Sequence, residues 1–263
     1  MHVDLDPHTR DFYQRSLRRI KGSGIPFLVG GAYALARYTG IERHTKDLDL
    51  FVRPEDVGRV LDLFAGAGHS TDLTYPHWLG KVYEGDAFLD VIFRSGNGVA
   101  VVDDDWMRHA VADEVMGEAV GLCPAEEMLW SKSFVQERER FDGADVAHLL
   151  RACGGALDWD RLLRRFGPHW RVLLAHVVMF GYIYPGERSR IPARVEGELL
   201  RRLAGEETGV PPTSEKVCQG TFVSREQYLI DLGEWGYQDA RLVRGSMTPQ
   251  DVAHWTAAID KGK

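Results

Sequence analysis

The hydrophobic positions along this chain change their period as it runs. Over 8–21 the apolar residues Phe12, Leu17 and Ile20 stand in a polar background at helical spacing, which predicts an amphipathic opening helix. Ile25-Pro26-Phe27-Leu28-Val29 is a short apolar run that stops at Gly30-Gly31, and Ala32 to Tyr38, rich in helix formers, ends at Gly40. Strand, glycine turn and helix is the reading. Asp47-Leu48-Asp49-Leu50-Phe51-Val52 alternates as a strand does, and Pro54 starts a helix that runs to about residue 65. Further strands are expected at 71–75, 78–84, 87–94 and near 114–122. After Pro124 the pattern turns helical, over 124–138, 142–152, 158–166, 168–180 and 193–204, and the remainder carries weaker elements.

Mixed strands and helices followed by a run of helices predict an α+β chain. Its first domain, 1–123, holds a mixed β-sheet flanked by helices, and 124–263 forms a mainly helical C-terminal domain. The boundary falls at Cys123-Pro124.

Composition narrows the classes. Hydrophobic residues are 44% and charged residues 27%, ordinary for a globular chain and not for a disordered or collagenous one. The longest weakly polar run, Val172–Tyr184, contains His176 and is shorter than the roughly 20 residues a membrane span needs. The N-terminal residues lack the basic and apolar regions of a signal peptide. Cys123, Cys153 and Cys218 are scattered and odd in number, so a reducing, cytoplasmic setting is expected. The net charge of −7 excludes a general nucleic-acid binder, but it is unevenly spread. Residues 151–202 carry ten arginines against five acids, whereas residues 1–150 carry a large acidic excess.

The chemistry concentrates in a few acids. Asp47 and Asp49, two apart on a strand, project from one face while Leu48 and Leu50 take the other. Carboxylates that close repel unless a cation lies between them, and hard oxygen ligands at this spacing suit Mg²⁺; a pair of exposed strand acids is the plainer alternative. Asp90 lies in the otherwise apolar strand Phe88-Leu89-Asp90-Val91-Ile92-Phe93, where it needs a metal or a buried arginine such as Arg43 or Arg94. Gly30-Gly31 closes a strand and opens a helix, where a phosphate can approach backbone N–H groups.

Taken together, Gly30-Gly31, Asp47-x-Asp49 and Asp90 resemble the nucleotidyltransferase superfamily typified by DNA polymerase β. The stretch Gly30-Gly31-Ala32-Tyr33-Ala34 with Arg43-His44-Thr45-Lys46-Asp47-Leu48-Asp49-Leu50 is similar to small bacterial members, both the abortive-infection toxin type and the antibiotic nucleotidyltransferases. The resemblance covers roughly residues 20–150. It implies a nucleotidyltransferase core in which Asp47 and Asp49 hold two Mg²⁺ ions, and Asp90 ligands the second and assists deprotonation of an acceptor. Gly30 and Gly31 would cradle the triphosphate. Ala32 departs from the Ser or Thr that many relatives carry there; Thr45 or backbone N–H groups are the candidate substitutes. A second similarity lies in Glu126-x5-Lys132 and Arg140-Phe141-Asp142-Gly143-Ala144-Asp145-x2-His148, which implies that Lys132 contacts the triphosphate. Asp142 and Asp145 equally suit a helix N-terminus.

The resulting expectation is a Mg²⁺-dependent transferase. It would move a nucleoside monophosphate from a nucleoside triphosphate, ATP among them, to an acceptor hydroxyl and release pyrophosphate. The acceptor is open between RNA such as tRNA, which the arginine-rich segment could face, and a small molecule such as an antibiotic. A catalytically degenerate nucleotide- or partner-binding module is the alternative. A haloacid-dehalogenase reading of Asp47-x-Asp49 is discounted, because His44-Thr45-Lys46 precedes the first acid and Phe51 follows the second. The ten histidines have no zinc-like spacing, and the apolar positions around Trp170 to Tyr184 fit a buried helix.

Overall fold

The fold was analysed in a computed structural model that describes residues 5–43, 45, 47–207 and 216–257. His44 and Lys46 of the motif lie outside the described residues. The chain forms an α+β structure of two compact units, one built on the first 124 residues and one on Ala125–Thr248.

In the first unit α1 (Pro7–Ser23) opens on Asp6, whose carboxylate accepts from the Thr9 N–H, and buries Phe12, Tyr13, Leu17 and Ile20. There follow β1 (Leu28–Val29), α2 (Gly31–Thr39), β2 (Asp47–Phe51), α3 (Val57–Ala65), β3 (Ser70–Tyr75), β4 (Leu79–Glu84) and β5 (Ala87–Ile92). A short α4 (Asp104–Arg108) leads to β6 (Val111–Val115) and β7 (Glu118–Leu122). The seven strands form one sheet in the order β3-β4-β5-β2-β1-β7-β6. The sheet is mixed: β2 runs parallel to β5 and β1 parallel to β7, and the other neighbours are antiparallel.

Alternation decides which side chains meet the core. Leu48, Leu50, Leu89 and Val91 are fully buried on one face, which leaves Asp47, Asp49 and Asp90 on the other. Two local departures from the sequence pattern have backbone causes. The strand expected near 114–122 is a hairpin, because Met116 and Gly117 both take positive φ (53° and 82°) and turn the chain between β6 and β7. The apolar run at 25–29 contributes only Leu28 and Val29 to the sheet.

The second unit comprises α5 (Ala125–Lys132), α6 (Gly143–Cys153), α7 (Trp159–Phe166), α8 (Trp170–Ile183), α9 (Ala193–Glu207), β8 (Val217–Cys218), α10 (Leu229–Gly233), β9 (Gln238–Asp239) and α11 (Ala240–Val243). Leu129, Val146, Leu150, Leu162, Phe166, Leu173, Phe180 and Leu199 form its core. The helix expected over 124–138 stops at Lys132; the chain then doubles back through a Gln136–Phe141 bridge. Helix α8 is not the wholly buried helix its apolarity predicts, since Val178, Met179 and Tyr182 are exposed. At least seven of the ten arginines in 151–202 pair with acids of this unit: Arg151 and Arg190 with Glu187, Arg161 and Arg165 with Glu127, Arg194 with Asp160, and Arg201 and Arg202 with Glu198.

The last helix, α12 (Pro249–Ala257), packs with the first unit. Its Trp255 meets Tyr75 and Trp78 edge-on at ring centroid distances of 5.0 and 5.4 Å, and lies against Gly96, where a Cβ would come within 2.8 Å of the indole. Among the described residues no helix is long and apolar enough to cross a membrane.

A candidate metal-binding site on the sheet

Strands β2 and β5 run side by side in register, so that Asp49 stands opposite Asp90 and Asp47 opposite Phe88. Carboxylate oxygens of Asp47, Asp49 and Asp90 converge within 4.8 Å of one another. Among the described residues this is the one set of three or more histidine, cysteine or acidic side chains so placed. Residues 41 positions apart in sequence reach one spot because parallel pairing in this register puts their apolar neighbours, Leu48 and Leu50 on β2 and Leu89 and Val91 on β5, on the opposite face.

Each acid has a distinct setting. Asp47 accepts a short hydrogen bond from the hydroxyl of Thr45, a buried residue, which fixes the orientation of that carboxylate. Thr45, taken from the sequence as a phosphate contact, thus acts on Asp47. Burial raises the pKa of Asp90, the Lys81 ammonium opposes that rise, and the charge of Asp47 adds to it. Lys81 Nζ lies 2.5 Å from Asp90 Oδ1. The cation at Asp90 is therefore Lys81, and neither Arg43 nor Arg94 takes that place.

The glycine pair is tied to the same spot. Gly31 has φ of 56°, a left-handed conformation that favours glycine, and a Cβ built there would overlap the Asp49 carboxylate. At Gly30 a Cβ would overlap the Phe51 ring, and the Gly30 N–H donates to the Asp49 carbonyl at 3.0 Å. Helix α2 thus starts directly against Asp49. Tyr33, in the first turn of α2, is buried with its hydroxyl unpartnered. Burial first, then the charges of Asp47 and Asp49, push its phenol above the ordinary range. Tyr13 is raised likewise by burial and by Tyr33 and the three acids, and its hydroxyl donates to the Phe88 carbonyl at 3.0 Å. These groups form a dry wall behind the carboxylates.

The donor set fits a hard divalent cation: three carboxylates, no sulfur or imidazole, one oriented by a hydroxyl and one given room by a glycine. The solved structures that match the chain include nucleotidyltransferases. The antibiotic-resistance factor ANT(2'')-Ia shares 18% identity over 65% of this chain and 98% of its own, with a TM-score of 0.44. The lincosamide antibiotic adenylyltransferase LnuA, solved with lincomycin, shares 14% over 55% of this chain and 96% of its own, with a TM-score of 0.37. An antigenic nucleotidyltransferase-like protein from Paracoccidioides brasiliensis shares 13% over 64% of this chain and 91% of its own, with a TM-score of 0.38. No protein-family model matches the sequence, and no curated protein does. Likeness at this level does not fix an activity; the carboxylates have to.

The other residues singled out in the sequence lie in the second unit. Lys132 closes α5, and its ammonium lies 2.9 Å from Asp142 Oδ2 and 2.8 Å from Asp145 Oδ2. Arg140 adds a further bond to Asp142 at 3.1 Å. Asp142 stands at the N-cap of α6 without a side-chain capping bond; it serves the ion pairs instead. Lys81 is the residue that sequence reasoning missed. Its only local signal is a lysine within the apolar stretch Leu79-Gly80-Lys81-Val82 that opens β4.

Proposed function

We propose that this chain is a Mg²⁺-dependent nucleotidyltransferase that moves a nucleoside monophosphate from a nucleoside triphosphate to an acceptor hydroxyl. The observation that carries this reading is the convergence of Asp47, Asp49 and Asp90 beside the glycine start of α2. Magnesium held there would neutralise the triphosphate and lower the pKa of the attacking hydroxyl. Asp47 and Asp49 would be its ligands, with Thr45 keeping Asp47 aimed and the missing Cβ of Gly31 leaving Asp49 its place. The backbone at Gly30-Gly31 and the positive end of α2 receive the phosphates. Asp90 faces the acceptor and accepts its proton as the acceptor oxygen bonds to the α-phosphorus. The bond from that phosphorus to the bridging oxygen breaks in line, and pyrophosphate leaves.

The acceptor carries a hydroxyl, on RNA or on a small molecule of the antibiotic kind. Incubation with each labelled triphosphate, Mg²⁺ and either total RNA, protein extract or an antibiotic panel separates these. Label transferred by the wild type and not by Asp49→Asn supports the reading. Absence of pyrophosphate release with every acceptor class overturns it.

A further inference from the structure

Three strands bring three charges into one row. Lys81 on β4 pairs in register with Asp90 on β5, and Asp90 pairs in register with Asp49 on β2. The Lys81 ammonium is 2.5 Å from Asp90 Oδ1 and 4.0 Å from the centroid of the Phe88 ring. Both side chains are largely withdrawn from water, at 20% and 13% exposure. A solution ion can leave such a place. A lysine on a strand paired in register with that of Asp90, packed against an aromatic ring, is covalently tied to the site. Its positive charge also stands beside any further cation that would share Asp90, and like charges a few ångströms apart in a half-buried setting repel strongly.

The geometry points to Lys81 as the second cation of this site. Its ammonium takes on Asp90 the place that a second divalent ion would occupy, so the chain binds one divalent cation, at Asp47 and Asp49. This rests on the metal-dependent reading above and replaces the two ions that the sequence resemblance implies. It makes Lys81 a positioning residue that holds the Asp90 carboxylate in place whether or not nucleotide is present.

Mn²⁺ titration of the full chain, followed by calorimetry and by the electron paramagnetic resonance of free Mn²⁺, tests it. The wild type is expected to bind one Mn²⁺, lost in Asp49→Asn. Lys81→Met keeps the aliphatic stem on Phe88 and is expected to bind two, the second disappearing when Asp90→Asn is added. The first is expected to bind about tenfold more tightly once the fixed charge is gone. Lys81→Gln, which keeps a donor to Asp90 without the charge, is expected to match Lys81→Met and serves if that variant does not fold. Lys81→Arg is expected to stay at one. Two Mn²⁺ in the wild type, or one at unchanged affinity in both neutral variants, overturns the role of Lys81 and leaves the metal site standing. Mn²⁺ binding that is absent, or indifferent to Asp49→Asn, overturns the metal site and this inference with it.

Discussion

The two units each gather carboxylates, but in different company. In the second unit every gathered acid has a cation of its own chain: Asp142 and Asp145 share Lys132, Asp142 also holds Arg140, and the fully buried Glu127 sits between Arg161 and Arg165. In the first unit three carboxylates face one another across two strands, with Lys81 at the outer end of the row. That convergence is the arrangement on which the proposed metal site rests. On the proposed function, the same residue type thus does structural work in one unit and keeps a place for a metal in the other. Proximity of charges alone does not separate the two cases; the position of the compensating cation does.

The contrast breaks most sharply at Asp49. Asp49→Asn is expected to lower transfer by about 10³-fold or more while the melting temperature holds or rises, because a mutual repulsion is relieved. Pyrophosphate release and calorimetric melting check this; near-wild-type turnover would end the assignment. The opposite signature is expected for Arg161→Met, which leaves Glu127 with Arg165 alone in a buried place. It should cost about 3 kcal/mol of stability and leave Mn²⁺ binding to the sheet unchanged. Denaturant unfolding beside a Mn²⁺ titration measures both.

Lys132→Ala is the next test, because the sequence resemblance and the ion pairs assign this residue different work. Loss of its bonds to Asp142 and Asp145 should cost about 1.5–3 kcal/mol of stability, restored in part by Asp145→Asn. If transfer falls about tenfold while stability is unchanged, Lys132 acts on the nucleotide and the comparison of the two clusters fails. Gly31→Ala should cost roughly 1–2 kcal/mol for the left-handed backbone. The same change should weaken Mn²⁺ binding about tenfold by displacing Asp49. Unaltered Mn²⁺ affinity in the folded variant would make the glycine a plain turn.

The smallest effect is on acid stability. Burial works against ionisation of Asp142, but Lys132 and Arg140 outweigh it and hold the carboxyl below its ordinary 3.8. A depressed folded pKa contributes stability that is present above the unfolded value and lost as pH falls through the folded one. The stability gap between wild type and Asp142→Asn should therefore close on acidification below pH 3.8, as unfolding curves at stepped pH would show.

Much of the sheet was legible because alternation is local. Leu48 and Leu50 announce the buried face of β2, and the two acids between them announce the other. The meeting of Asp47, Asp49 and Asp90 was legible only through resemblance, since strand partners are chosen by long-range packing. The same limit hid Lys81, whose meaning lies in its register against Asp90 and not in its own strand. The bond from Thr45 to Asp47 joins residues two apart in sequence, yet nothing in the local pattern announces it. The β6–β7 hairpin escaped because its turn places a methionine, a poor residue for positive φ, at the bend. Helix α5 stops short of the expected 138 because Ser133, Phe134 and Val135 are poor helix formers and the Gln136–Phe141 pairing turns the chain back.

Helix α12 has a consequence for how the chain is to be cut. Because Trp255 packs edge-on against Tyr75 and Trp78, the first unit is discontinuous, and Ala125–Thr248 is an insertion between two of its segments. Expression of the first 124 residues alone would bare a patch of aromatic rings on the β3–β4 hairpin. A soluble catalytic fragment is better sought by deleting the insertion and bridging Pro124 to Pro249 with a flexible linker. Equally, a circular permutant opened within the insertion would keep both strands of the join intact.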